Sequence, residues 1–386
     1  MDTKTKTNTY IANTYGRFDI VAVKGHGSVI TDENGKDYID LGSGIAVNSF
    51  GVSDHEWLAA VTAQASTIQH ASNLYYTKPG ADLAEALCER TGMKKVFFSN
   101  SGAEANECAI KVARKWAADK KGDGYHTVIT LENSFHGRTI TTLAATGQDV
   151  FHKDFTPLTE GFVTAKANDI ESVKKILEDN KVAAIMMEAI QGEGGVVPLE
   201  TDFVAGVCEL AAENDFLVIF DEVQTGNGRT GKLFAYENFG VTPDIVSTAK
   251  GLAGGLPLGA TLLGEKVKDT LTPGLHGSTF GANPVCCAAA LSILSRIDEK
   301  LLSEVKEKSE YIFNALTGKP GIIGVTGMGL MIGIKTEKDA STVVSKCQDA
   351  GVLVLKAKDK VRLLPALNIP FELLKTAVDV IVDAAK

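Results

Sequence analysis

The chain has 386 residues, 44 % hydrophobic and 23 % charged, an ordinary globular composition with room for two domains or for one large domain with an appendage. Its net charge of −9 gives no electrostatic reason to expect a nucleic acid or an anionic membrane surface as partner. The six cysteines, at 88, 108, 208, 286, 287 and 347, make no CxxC pair and no zinc-like spacing. They read as reduced thiols, so a cytoplasmic location is expected and a metal site is not.

The opening "MDTKTKTNTY" is polar, without the apolar core of a signal peptide or membrane anchor, and residues 1–12 read as a frayed tail. "SVITDENGKDYIDL" (28–41) reads as a β-hairpin around an Asn-Gly turn. From about residue 94, short apolar runs alternate with helical stretches. "KVFFS" (95–99) leads into a helix through "AEANECAIKVARKWAAD", followed by "TVITL" (127–131), "VAAIMME" (182–188), "FLVIFDE" (216–222), "DIVST" (244–248) and "ATLLG" (260–264). Near-continuous β-rich runs separated by helices predict an α/β fold with a mostly parallel sheet buried on both faces. Ligands of such sheets bind beyond the carboxyl ends of the strands. Past residue 284 one long helical stretch is expected, through "VCCAAALSILSRIDEKLLSEVKEKSEYIFNALT". A small α+β region follows, with "GIIGVTGMGLMIGIKT", a helix near 340–350, "VLVLK", "VRLLPAL" and a final helix. The expected division is 1–45 joining a small domain, 46–275 as the large domain and 276–386 as the rest of the small one.

The strand ends carry the chemistry. "NSGAEA" (100–105) stands directly before a helix, either as a phosphate site built from open amides and the helix dipole or as a plain helix start. In "ENSFHGRT" (132–139), Phe135 suits the face of a planar ring and Arg138 a carboxylate; core packing and a surface ion pair are the alternatives. His136 has no second ligand at a metal-like spacing and reads as a hydrogen-bonded core histidine. "FLVIF" runs into "DEVQTGNGRTG" (221–231), and an acid leaving five apolar residues must meet a cation, a metal or an N–H. Glu188 and Glu193 add carboxylates at the same rim, but no GxxxxGK[ST] phosphate motif accompanies them.

In "DIVSTAKGLAGGLPLGA" (244–260), Lys250 sits between an apolar run and glycines 251, 254, 255 and 259. A lysine displaced from water loses proton affinity and becomes a nucleophile; a solvated loop lysine is the plain alternative. Combined, these features describe a flat heteroaromatic ring bearing a phosphate, an aldehyde and a basic nitrogen. The helix N-terminus takes the phosphate, Phe135 covers one face, Asp221 keeps the nitrogen protonated and Lys250 condenses with the aldehyde. That object is pyridoxal 5'-phosphate.

In order along the chain, "NSGAEA", "SFHGRT", "QGEGG", "DEVQTGNGRTG", "STAKG" and "HGSTFGANP" resemble the motifs of the class III (ornithine-type) pyridoxal-phosphate-dependent aminotransferases. "NTYGRF", "LGSGIAVNSFG", "NLYYTKP" and "RLLPAL" are most similar to the acetylornithine branch, which serves arginine biosynthesis. The resemblance covers essentially the whole chain. It implies fold type I: a seven-stranded, mainly parallel cofactor domain, a small domain from both chain ends, and a homodimer with shared sites. It implies phosphate contacts from the amides of Gly102 and Ala103, with Ser101 adjacent, Thr279 reaching the neighbouring subunit's phosphate and Ser278 lying near that subunit's substrate. Phe135 and Val223 would flank the ring, Asp221 pair with its nitrogen, Gln224 approach its hydroxyl, and Lys250 bind its aldehyde. Arg138 would hold acetylornithine's α-carboxylate and Arg362 that of glutamate or 2-oxoglutarate. Glu193 would neutralise an arginine, and Tyr15 would touch substrate.

The chain departs from the family pattern at "VSDHEW" (52–57), at Ala189 and at "FDIVAV" (18–23). Related activities toward ornithine, 4-aminobutyrate, succinyldiaminopimelate or acetyllysine share the motifs, and a non-catalytic scaffold would share the cofactor residues. "GSGIAV" (42–47) suggests a nicotinamide-dependent dehydrogenase only weakly, since it lacks the third glycine and the following helix.

Overall fold

The computed structural model describes residues 1–386. Its central sheet has seven strands, in the order Lys95–Ser99, Gly259–Leu263, Ile245–Thr248, Leu217–Asp221, Val182–Met187, Thr127–Leu131 and Phe162–Ala165. The five inner strands are buried at every residue, as strands covered on both faces must be. Gly259–Leu263 runs antiparallel to both neighbours, while the remaining adjacent pairs are parallel. The carboxyl ends of the other strands therefore share one rim with the amino end of Gly259–Leu263. The edge strand Phe162–Ala165 is not among the sequence expectations, because its partly exposed residues form no continuous apolar run.

Small structure forms where the chain ends meet. Val29–Asp32 and Asp37–Asp40 make the expected antiparallel hairpin. Ala22–His26 extends it on one side, and Val352–Leu353 pairs in parallel on the other. A second sheet orders Ile322–Met328, Met331–Thr336, Lys360–Leu363 and Leu355–Ala357. Residues 352–357 thus give one short strand to each small sheet, with Val354 buried between them.

Two expectations are corrected. The N-terminal tail is not frayed: Thr3–Tyr10 is a helix whose first turn is capped by Asp2, which accepts the Thr5 amide at 2.7 Å. Lys4 ties it to Asp19 at 2.6 Å, although none of its residues is buried. The long helix past residue 284 is two helices, Pro284–Leu294 and Glu299–Leu316. Asp298 starts the second one by accepting the Leu301 amide at 2.8 Å.

The departure at 52–57 has a structural use. Asp54 caps the helix His55–Ala65 through the Trp57 amide at 2.9 Å and pairs with Arg296 at 2.7 Å, and the Arg296 guanidinium lies 4.0 Å from the Phe50 ring centroid. Just before it, Ser43, Gly44, Ile45 and Ala46 all have left-handed φ, at 42°, 66°, 65° and 61°. Non-glycine residues lose about 1–2 kcal/mol each in that region. The turn is held by buried Asp40, which accepts the Gly42 and Ser43 amides at 2.8 and 3.0 Å, and by Ser43 Oγ on Leu364 O at 2.5 Å. No helix of the chain is long and apolar enough to cross a membrane.

Candidate active site

The rim of the sheet opens into a cavity of about 460 Å³, walled by the turns that follow the strands. After Lys95–Ser99, Ser101 caps the helix Gly102–Lys121, its Oγ accepting the Glu104 amide at 3.2 Å. Glu104 reaches back to the Asn100 amide at 2.6 Å. The amides of Gly102 and Ala103 find no acceptor in the protein, which leaves two donors and the positive end of the helix facing the cavity. A Cβ on Gly102 would stand 2.6 Å from Val223 Cγ1. Glycine is what lets Val223 close over this helix start.

Asp221 ends the strand Leu217–Asp221 at 3 % exposure, yet every part of its carboxylate is engaged. Oδ2 takes Asn106 Nδ2 at 2.7 Å and His136 Nδ1 at 2.8 Å, and Oδ1 takes the Val223 amide at 3.0 Å. Burial pulls the His136 pKa down, but the Asp221 hydrogen bond and charge outweigh it and leave the ring above its ordinary value. His136 Nε2 and Asn106 Oδ1 are buried without partners. Buried Glu188 accepts the Phe135 amide at 2.8 Å and the Gly192 amide at 3.1 Å, stapling the two loops that carry Phe135 and Glu193. Burial pushes Glu188 up to about 7.

Lys250 follows Ile245–Thr248 in a left-handed turn, φ 46°, and lines the cavity. A Cβ on Gly251 would come 2.7 Å from Ser49 Oγ, so the backbone behind Lys250 is closely packed. Its ammonium has no hydrogen-bond partner. Burial draws its pKa down to about 8, with Glu193 pulling upward and Arg362 downward.

Two arginines stand near this amine in opposite states. Arg362, 3 % exposed, donates from Nη1 to Glu193 Oε1 at 2.6 Å and to Gln224 Oε1 at 3.2 Å, while its Nε is buried without a partner. Burial alone would raise Glu193; the Arg362 charge and hydrogen bond hold it below the ordinary glutamate value. Arg138 is exposed on the cavity wall. Its guanidinium lies 4.3 Å from the Phe151 ring centroid and 5.4 Å from that of Phe135. Phe135 and Phe151 meet edge-on at 5.8 Å.

An open helix N-terminus, a locked carboxylate, a partly dehydrated lysine and two unlike arginines around one cavity match the motifs of a single enzyme family. The family description "Aminotransferase class-III" fits residues 10–385. The chain belongs to the class-III aminotransferases. Among curated relatives, it is 51 % identical to the acetylornithine aminotransferase of Haemophilus ducreyi over 374 residues, covering 96 % of this chain and 95 % of that one. The N-acetylornithine aminotransferase structure from Stenotrophomonas maltophilia K279a is 34 % identical, with a TM-score of 0.85 over 98 % of this chain and 97 % of that one. The ornithine aminotransferase of Toxoplasma gondii, in a crystal structure with partial occupancy of PLP, is 32 % identical, with a TM-score of 0.93 over 99 % of this chain and 93 % of that one. The aminotransferase thus has the α/β architecture of fold type I.

Of the residues singled out in the sequence, Ser101, Gly102, Ala103, Phe135, Arg138, Asp221, Val223, Gln224 and Lys250 all line the one cavity. Glu193 and Arg362 join it through Gln224. Ser278 accepts from Asn100 Nδ2 of its own chain at 3.1 Å, at the rim. Thr279 is exposed and outside this cavity. Tyr15 is 68 % exposed, under the Arg17 guanidinium at 5.5 Å, and is not brought to the site. Sequence reasoning missed Asn106, while His136 is the buried, hydrogen-bonded histidine that was expected. Asn106 lies one turn into a helix with nothing local to mark it.

Proposed function

We propose that this aminotransferase moves the δ-amino group of N2-acetyl-L-ornithine to 2-oxoglutarate, giving N-acetyl-L-glutamate 5-semialdehyde and L-glutamate. The acetylornithine activity of the relatives supports that substrate pair, and so does an arginine on the wall of the Lys250 cavity with a second one joined to that wall through Gln224. The residues fit pyridoxal 5'-phosphate. The free amides of Gly102 and Ala103 suit its phosphate, Val223 and Phe135 its two faces, Asp221 its ring nitrogen, Gln224 its hydroxyl and Lys250 its aldehyde. When bound, that group supplies an electron sink for the pair left behind when a proton leaves the carbon bearing the amine.

The protein's own part is placement and proton transfer. Arg138 receives the α-carboxylate of acetylornithine, aligning its δ-carbon with Lys250 Nζ. Glu193 keeps Arg362 neutralised while that substrate is bound. When glutamate or 2-oxoglutarate enters, its α-carboxylate takes Glu193's place on Arg362. Lys250, with a pKa near 8, has a usable neutral fraction at physiological pH, and its Nζ takes the proton from Cδ. Transfer by such a positioned base is typically worth ~10²–10⁴-fold. His136 and Asn106 hold Asp221 in one orientation, so its charge stands ready without rearrangement.

Exposed Leu74, Tyr75, Tyr76, Leu275 and Phe280, together with the outward Thr279, support a homodimer in which Thr279 and Ser278 complete a neighbouring site. We place the enzyme in the cytoplasm. The single observation that carries the reading is the unpaired Lys250 amine in one cavity with Asp221. Its test is borohydride trapping of the yellow enzyme, peptide mapping, and half-reaction rates with acetylornithine, ornithine, succinyldiaminopimelate and 4-aminobutyrate. A tag on Lys250 and fastest bleaching by acetylornithine are expected. A tag elsewhere overturns the reading, and preference for another amine moves the substrate assignment to that amine.

A further inference from the structure

The segment 362–367 carries Arg362 at one end; its Leu364 and Leu367 amides donate to Leu41 O and Ser49 O at 2.7 and 2.8 Å, and its carbonyl oxygens take three side-chain donors. Leu364 O accepts Ser43 Oγ at 2.5 Å, Pro365 O accepts Arg229 Nη1, and Leu367 O accepts Lys308 Nζ at 2.9 Å. The three donors come from separate elements: the left-handed turn at 43–46, the loop that begins at Asp221, and the helix Glu299–Leu316. Each is buried, with Ser43 and Arg229 at 2 % exposure and Lys308 at 3 %.

Arg229 has no carboxylate partner. Its Nη1 also donates to Leu330 O at 3.2 Å, and the Leu330 amide returns a bond to Arg229 O at 2.9 Å. Burial alone draws its pKa down to about 9. Lys308 has Glu304 at 3.5 Å, on the outer side of its helix. Cations are expensive to bury, and apolar replacements of similar volume often stabilise a fold as well or better. Two buried cations on the carbonyls of one short segment therefore suit a geometric role better than a stabilising one.

We propose that Arg229, Lys308 and Ser43 are positioning residues that fix Arg362 relative to the Asp221–Gln224 turn. They set the site for the α-carboxylate of the amino- and oxo-acid partner, and not for the amine donor. Arg229 lies eight residues beyond Asp221 on the same loop, so one guanidinium links the cofactor wall to the strand that bears Arg362. Misplacement of about 1 Å at such a contact can cost up to 10²-fold. The inference rests on the reading of Arg362 as the α-carboxylate contact.

The test uses the holoenzyme and follows each half-reaction separately by absorbance. Lys308→Met and Arg229→Met should weaken glutamate half-saturation by roughly tenfold and leave acetylornithine half-saturation within about twofold. Lys308→Arg and Arg229→Lys should restore most of the loss. Equilibrium binding of glutarate, an unreactive dicarboxylate, gives a readout that does not depend on turnover. If Arg229→Met fails to fold, Lys308→Met and Ser43→Ala carry the test. Equal loss in both half-reactions, or none in either, overturns the clamp. Arg362→Leu is run beside them: if it spares glutamate, the reading of Arg362 fails and the inference falls with it. If Arg362→Leu impairs glutamate while the clamp variants do not, only the clamp is wrong.

Discussion

Arg138, on the cavity wall, and Arg362, joined to it through Gln224, are the same side chain built in opposite ways. Arg362 is buried, paired with Glu193, bonded to Gln224 and carried on a strand whose continuation is pinned from three sides. Arg138 is exposed and rests on the rings of Phe151 and Phe135. The contrast matches the roles proposed for them. A site that receives two substrates in turn needs one cation that is switched by a neighbouring acid and one that stays open. On that proposal the buried arginine needs a rigid frame, because its partner leaves and returns to the same place; the exposed one tolerates looser support.

Breaking the contrast at its strongest point gives the largest effect. Arg362→Leu should raise the KM for glutamate and 2-oxoglutarate by about 10–100-fold, from the roughly 1.5–3 kcal/mol of a hydrogen bond to a charged group. It should also lower Tm, because half-buried Glu193 and buried Gln224 lose their cation. Arg138→Leu should raise the KM for acetylornithine by a similar factor with no change in Tm. Steady-state kinetics and thermal melts would show this, and identical profiles for the two variants would dissolve the comparison.

The lysine of the same cavity gives a pH signature. With its pKa drawn down to about 8, Lys250 is protonated and unreactive below that value and free above it. Condensation of apoenzyme with pyridoxal phosphate should therefore speed up roughly tenfold per pH unit below about 8 and then level off. A rise that continues to an ordinary lysine pKa would show that burial does not tune this amine. The smallest effect tests the open arginine's support. Phe151→Leu removes a cation–π contact worth about 0.5–1 kcal/mol at an exposed site, so acetylornithine's KM should rise only two- to fivefold. A change in kcat without one in KM would mean that Phe151 acts elsewhere.

Most of the cavity wall was legible because its residues follow buried β-rich runs, where the chain's own pattern locates the sheet rim. Lys250, Asp221 and "NSGAEA" each stand immediately after such a run. The edge strand Phe162–Ala165 was not legible, since partial exposure removes the apolar signal. Asp298 broke an apparently continuous helix because a capping aspartate looks like any other polar position until the turn before it is known. Asn106, Arg229 and Lys308 were opaque for a different reason. Their roles lie in contacts with segments 115, 136 and 59 residues away, which no local pattern encodes.

The six residues 352–357, divided between the two small sheets, also set an order of assembly. The strand Asp37–Asp40 leaves the ribosome long before its neighbour Val352–Leu353, and Lys36 waits across 313 residues for the Asp349 carbonyl. Contacts of such sequence separation form late. The first sheet of the nascent chain therefore remains unfinished, with one edge unpaired, until almost the last stretch has been synthesised, and the Arg362 wall is completed in the same closing step.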